Sequence, residues 1–361
     1  MTAHKDLLSV AIGTAAASVD RAVLAAMQLR NARRPARTTL LGHEARLAAL
    51  AAVAEAYAGA EHLDEPDRFF APPPAIAPRL DPVRQGPDAR VFDATWASGY
   101  QPFDDGVRHR YLAHGKNRTA HARLYLGERP RPAIIVVHGY LGGHYRSEER
   151  AWPIAWLSRI GLDVAAAVLP FHAHRGDDRT PRFPGSDPRF TNEGFRQAVH
   201  DLRALAAFLR ARGAPAVGVM GMSLGGYTTA LLATVERELA FAVPMIPLAS
   251  IADFAREQGR LGRDPDEAAV QHAALERANW VVSPLARPVL VARERLLVIA
   301  AEADRITPIA HARRIARHFD ARLVTMPGGH LLQIGRGDAF REVARLLGRL
   351  GILPPRAPET P

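Results

Sequence analysis

A chain of 361 residues, 48% hydrophobic and 23% charged, is long enough to bury a substantial core and shows no collagenous, disordered or repetitive bias. Its formal charge of +10 comes almost wholly from scattered arginines, with Lys5 and Lys116 the two lysines and one dense basic run at 30–37 (RNARRPAR); without interleaved aromatics this argues against nucleic acid and reads as a compositional habit. The lack of cysteine excludes disulfides, thiolate nucleophiles and cysteine-bound metals and fits a reducing, cytoplasmic location, and no apolar run is long enough to span a bilayer.

Residues 1–62 are alanine-rich with apolar residues at helical spacing, which predicts two helices broken near Pro35. The stretch LLSVAIGTAAASV (7–19) follows Lys5 as a leader segment would. However, it is poor in leucine and runs on into SVDRAVLAAMQLR, so it reads as one amphipathic helix. Such helices either pack on the rest of the protein or a second subunit, or lie on an anionic membrane surface with their arginines outward. Residues 66–87 form a proline-dense linker (FFAPPPAIAPRLDP), closed to helix and to central strand. The expected division is therefore an extension and linker at 1–87 and a main domain at 88–361.

After the linker, strands and helices alternate. Residues 91–97 and 107–125 read as strands with turns, followed by short buried runs at 133–137, 163–168, 217–220, 240–243, 296–300 and 322–326. Helical patterns at 193–212, 227–236, 309–318 and 339–350 separate them. This rhythm predicts an α/β fold with a mainly parallel sheet covered on both faces, whose functional groups gather at the carboxyl ends of the strands. Residues 248–292 lie between two strands as an insertion, a helical cap containing Phe254 and Trp280 that suggests an apolar-tolerant pocket.

The strand ends carry the chemistry. Ser223 stands in GMSLG (221–225), after a strand and before the helical GGYTTALLATVE. In a turn that sharp, side chains at the flanking positions would collide with neighbouring backbone, and the serine hydroxyl is presented near a helix N-terminus. A serine needs a base. His330 follows the strand RLVTM through the turn PGG, whereas His311 and His318 lie on a helix whose other face is apolar and read as surface residues. The base needs a carboxylate. Asp304, in the loop AEADRITP after the strand at 296–300, is preferred over Glu302 because it lies further from the strand end. Backbone donors for an oxyanion are expected from Leu224 and from the loop of AIIVVHGYLGG (133–143), with Tyr140 the first choice and Leu141 the second. His138 reads as a brace for that loop. In LPFHAHRGDDR (169–179), His172, His174 and Arg175 are candidates for the pocket mouth; the two histidines lack a third partner for a metal, and no cofactor is expected.

Taken together, HGY at 138–140, GMSLG at 221–225, EADRITP at 302–308 and GGH at 328–330 resemble the α/β-hydrolase superfamily from about residue 90 to 350. Ala301 stands where many members carry glycine. The resemblance implies an eight-stranded, mostly parallel sheet and a Ser223–His330–Asp304 triad working through an acyl-enzyme on a carboxylic ester. It leaves a membrane-associated lipid deacylase and a catalytically silent binding protein as alternatives, and oligomer formation open. A peptidase is disfavoured, since no separate propeller-sized domain is visible.

Overall fold

The computed structural model describes residues 13–26, 29, 41–177 and 181–353. The expected break near Pro35, the basic run at 30–37 and the last residues of the 169–179 loop lie outside them.

One sheet organises the described chain. Its nine strands are β1 (Arg79–Gln85), β2 (Arg90–Ala97), β3 (Thr119–Leu126), β4 (Ala133–Val137), β5 (Asp163–Ala167), β6 (Val217–Met222), β7 (Ala242–Met245), β8 (Leu297–Ala301) and β9 (Arg322–Met326). They lie in the order β1-β2-β3-β5-β4-β6-β7-β8-β9. The first three pair antiparallel down to β5, and from β5 to β9 every pairing is parallel. β4, β5 and β8 are buried along their whole length, as strands covered on both faces must be.

The sheet has one strand more than the eight expected. The addition is β1, drawn from the proline-dense linker. It tolerates Pro82 because it is an edge strand, with a register shift between Pro82 and Arg84. The linker also opens with a short helical turn at Pro66–Phe69, so its proline density marks irregular structure rather than a structureless spacer.

Helices close both faces. Residues 13–26 form α1; then come α2 (His43–Ala56), α3 (Glu61–Asp64), α4 (Pro66–Phe69), α5 (Asp105–Leu112), α6 (Tyr145–Ala151), α7 (Ile154–Arg159), α8 (Pro188–Ala211), α9 (Leu224–Ala233), α10 (Ile251–Glu257), α11 (Pro265–Ala278), α12 (Ile309–His318) and α13 (Arg336–Arg349). The helix α5 occupies part of the stretch 107–125 read as strands with turns, because Asp104 caps it through Gly106 N. Alternate residues of β4 point to opposite cores. Ala133, Ile135 and Val137 join α8 and α9 in one cluster, while Ile134 and Val136 join α7 and α13 in the other. The chain passes from β4 outward to β5, then crosses back through α8 to β6 on the other side of β4. That reversal makes β4 a topological switch point, at whose strand ends such sheets bind ligands.

The N-terminal helices pack on this body. The helix α2 lies along α11, tied by Arg46 Nη2 donating to Arg260 O at 2.9 Å and by Gln271 Nε2 at 3.1 Å from His43 Nδ1. Tyr57, just past α2, donates to Glu193 Oε1 of α8 at 2.8 Å. Glu193, fully buried, also accepts from the Tyr100 hydroxyl and from Phe103 N and Asp104 N, both at 3.0 Å. Within 248–292 the chain forms α10, α11 and two short 3-10 turns, and Phe254 packs against the main core.

Candidate active site

Ser223 occupies the turn between β6 and α9 with φ 57° and ψ −113°. A positive φ is costly for a serine, and the surrounding packing enforces it. A methyl group on Gly221 would lie 2.0 Å from Gly225 O, and one on Gly225 would lie 2.1 Å from Val137 O of the neighbouring strand. Only hydrogen fits at either place. The serine stands at the N-cap position of α9 but makes no side-chain cap bond. Its hydroxyl is instead 3.0 Å from His330 Nε2.

His330 lies in the turn after β9. Its Nδ1 is 2.8 Å from Asp304 Oδ2 in the loop after β8. Asp304 is 3% exposed, and its charge is met by four groups. Oδ1 accepts Ile306 N and Thr307 N at 2.8 Å each, and Oδ2 faces His330 Nδ1 and the Thr307 hydroxyl, the latter at 3.0 Å. Thr307 Oγ1 also lies 3.0 Å from His330 Nδ1 and from Ile246 O. The three strand-end residues singled out from the sequence therefore form one hydrogen-bonded chain, Asp304 to His330 to Ser223. Glu302, the competing acid, is exposed and accepts from the Thr325 hydroxyl at 2.7 Å. Chemically the chain can hold one imidazole tautomer, with Nε2 facing the serine proton, and can accommodate the imidazolium that forms when that proton moves.

The loop after β4 lies against the serine. A methyl on Gly139 would be 3.4 Å from Ser223 Cβ. Tyr140 is the next residue in that loop, and Leu224 begins α9. His138 fixes the loop: Nδ1 donates to Gly139 O at 2.7 Å, and Nε2 accepts Leu169 N at 3.0 Å. Burial drives its pKa down, which suits this neutral tautomer. Glu148 of α6 holds the far side, accepting Gly143 N at 2.8 Å and Trp152 Nε1 at 3.1 Å. Leu141 has φ 67° and is 48% exposed. Leu331, Leu332 and Ile334, which follow His330, are exposed as well. The loops that carry Gly139 and His330 thus hold uncovered aliphatic side chains.

The three pocket-mouth candidates fare differently. Arg175 is 1% exposed and spent on structure, donating to Val168 O and Asn117 O at 3.0 Å each and pairing with Asp201 at 2.8 Å. It pins the end of β5 to α8. His172 is fully buried, with Nδ1 donating to Pro170 O at 2.8 Å and burial pushing its pKa well down. His174 is exposed and stacks on His121. His311, expected on the surface, is buried: its Nδ1 accepts Ala249 N and its Nε2 donates to Glu257 Oε2, both at 3.0 Å, because α10 covers that face of α12.

Among the described residues, Asp253, His272 and Glu276 could converge on a metal ion. Asp253 is already engaged by Arg256, Arg314 and His272, so cations of the protein occupy its oxygens.

Two residues at the site escaped the sequence reading. Thr307 stands three after Asp304, a spacing at which an Asp can accept its backbone N–H, and that was its one signal. Asp20 of α1 accepts His330 N at 2.8 Å from 310 residues away, and no local pattern announces it.

No family model matches the chain. Two Mycobacterium tuberculosis proteins, "Uncharacterized protein Rv2627c" of strain H37Rv and "Uncharacterized protein MT2702" of strain CDC 1551, are each 31% identical to it over 317 residues, covering 84% of this chain and 75% of theirs. Among solved structures it is similar to acetyl xylan esterase 1 from Thermoanaerobacterium sp. JW/SL YS485, with TM-score 0.53 and 18% identity over 82% of this chain and 98% of that one. The acetyl xylan esterase from Paenibacillus sp. R4 gives TM-score 0.54 and 15% identity over 83% and 99%. A puromycin-hydrolyzing peptidase of M. tuberculosis gives 0.51 and 18% over 78% and 40%. These likenesses establish the α/β-hydrolase fold. No helix of the described residues is long and apolar enough to cross a membrane.

Proposed function

Since the chain belongs to the family of the M. tuberculosis protein Rv2627c and has the α/β-hydrolase fold, we propose that it is a serine hydrolase that cleaves carboxylic esters through an acyl-enzyme. The observation that carries this reading is His330 standing between Asp304 and Ser223 at 2.8 and 3.0 Å. A binding protein on the same fold has no use for a serine held at positive φ and aimed at an imidazole.

In the first half-reaction Ser223 Oγ attacks the ester carbonyl while His330 Nε2 takes its proton. The oxyanion is held by the N–H groups of Tyr140 and Leu224, each such donor contributing on the order of 10²–10³ in rate. Collapse breaks the bond to the alkoxide, which leaves with the proton from Nε2. Water then enters, gives its proton to Nε2 and attacks the acyl-serine, and the acid departs as Ser223 recovers its hydrogen. Throughout, Asp304 and Thr307 keep Nδ1 protonated and the ring in place.

The exposed Leu141, Leu331, Leu332 and Ile334 favour an apolar acyl group, which also keeps a lipid-type acyl ester in view. The test is turnover of p-nitrophenyl acetate, butyrate and octanoate, beside a p-nitroanilide, by wild type and Ser223→Ala. Ester turnover that rises with acyl length and falls at least a thousandfold in Ser223→Ala is the expected result (roughly 4 kcal/mol of barrier). Equal turnover by both proteins defeats the reading; anilide cleavage as fast as ester cleavage moves it toward a peptidase.

A further inference from the structure

We propose that Asp20, on the N-terminal helix α1, is a positioning residue for His330, an inference that rests on the hydrolase reading above. A carboxylate with no exposure is costly to bury unless its oxygens are fully used, and those of Asp20 are used in an informative way. Oδ2 accepts His330 N at 2.8 Å and Arg305 N at 3.1 Å, and Oδ1 accepts Leu331 N at 3.1 Å. Arg305 follows Asp304 in the chain. One side chain therefore holds the backbone of the acid's loop and the backbone of the base itself.

The approach of α1 is built for this contact. A methyl on Gly329 would stand 2.7 Å from Asp20 Oδ2 and 3.2 Å from Ala16 O, so only glycine lets the helix come this close to the turn before His330. Ala16 and Ala17 pack with Ala303, and Gly13 lies against Ala303 and Pro327 O. These small residues bring α1 against the loops after β8 and β9 together. The turn that carries His330 is closed by its own backbone, Gly329 N donating to Leu332 O at 2.8 Å and Gly328 N to Ile334 O at 3.1 Å. Those bonds give the turn its shape. Ala303 N donating to Gly328 O at 3.1 Å ties the start of the turn to the loop of Asp304, and Asp20 adds a second tie at His330 itself, joining its N–H to that of Arg305. The side chain of His330 can meet Asp304 and Ser223 at once only while its own backbone stays where Asp20 holds it.

A role in docking α1 alone would lower the melting temperature and leave the chemistry of folded molecules unchanged. Positioning changes the chemistry. The experiment measures labelling of Ser223 by a fluorophosphonate over a range of probe concentrations, which separates the inactivation rate constant from probe affinity. It uses the full chain as wild type, Asp20→Ala, Asp20→Asn and Gly329→Ala, with circular dichroism confirming the folded state. Asp20→Ala is expected to lose about 10- to 100-fold in the rate constant with affinity within about twofold, the scale of a misplacement near 1 Å. Gly329→Ala is expected to fall in the same way, since its new methyl displaces the carboxylate. Asp20→Asn keeps an acceptor for His330 N and Arg305 N but turns a donor toward Leu331 N, so it falls less, about threefold or more.

A folded Asp20→Ala that labels at the wild-type rate overturns the assignment. Should that variant fail to fold, a folded Asp20→Asn labelling at the wild-type rate does the same. A wild-type chain that takes no probe at Ser223 instead removes the hydrolase reading on which the assignment stands, and the two failures are thus told apart.

Discussion

Ser223→Gly should give a more stable protein than Ser223→Ala. Both substitutions remove the hydroxyl and its 3.0 Å contact with His330, so that loss cancels in the comparison. What differs is the backbone. At φ 57° and ψ −113° alanine keeps the strain of a non-glycine residue, about 1–3 kcal/mol, and glycine releases it. Glycine in turn loses more freedom on folding, roughly 0.5–1 kcal/mol against alanine. The net difference favours glycine by about 1 kcal/mol. For 361 residues, with an unfolding entropy near 2 cal/mol/K per residue, that is about 1–2 °C in melting temperature. Differential scanning calorimetry on both variants measures it. An alanine variant as stable as the glycine variant would mean that the turn stores no strain, and the account of why glycines surround the serine would lose its energetic basis.

Other parts of the structure make equally definite predictions. Thr307→Val keeps the shape of the side chain but removes its contacts with Asp304 Oδ2 and His330 Nδ1; kcat/KM should fall about tenfold with little change in KM, read by steady-state ester hydrolysis. Glu193→Leu leaves the hydroxyls of Tyr57 and Tyr100 and the N–H groups of Phe103 and Asp104 without their acceptor, at roughly 3–5 kcal/mol in urea unfolding. Acid should destabilise the fold steeply. Burial lowers the pKa of His62, His121, His138, His172 and His200, that of His121 from 6.5 to about 4. The folded state then binds fewer protons than the unfolded chain, so stability is full above pH ~6.5 and is lost as the pH falls toward ~4. His121, discounted for its partial exposure, accounts for about 1–2 kcal/mol of that loss. Urea midpoints across this range measure it, and His121→Leu should make the dependence shallower.

The parts of this molecule that the sequence announces are those fixed locally. The turn at Ser223 is spelled in five residues because backbone collisions forbid side chains at 221 and 225, whatever the rest of the chain does. The places of His330 and Asp304 at neighbouring strand ends were legible because buried strands are short apolar runs, with these residues just beyond them. The burial of Arg175 was not legible, because nothing nearby in the chain reveals that Asn117 and Asp201 will be its partners. The strand β1 was hidden by its prolines, which rule out a central strand and permit an edge one. Asp20 was hidden by distance: it reads as one polar residue on an alanine-rich helix until the fold brings it to His330.

The central claim is that His330 activates Ser223. Its most direct test is to expose the folded wild-type protein, Ser223→Ala and His330→Ala to a fluorophosphonate and to locate the adduct by mass spectrometry. Activation of Ser223 by His330 gives one adduct on Ser223 of the wild type, none on Ser223→Ala, and labelling of His330→Ala slower by about a thousandfold or more. A wild-type protein that stays unmodified, or one labelled at Ser223 just as fast without His330, would contradict it.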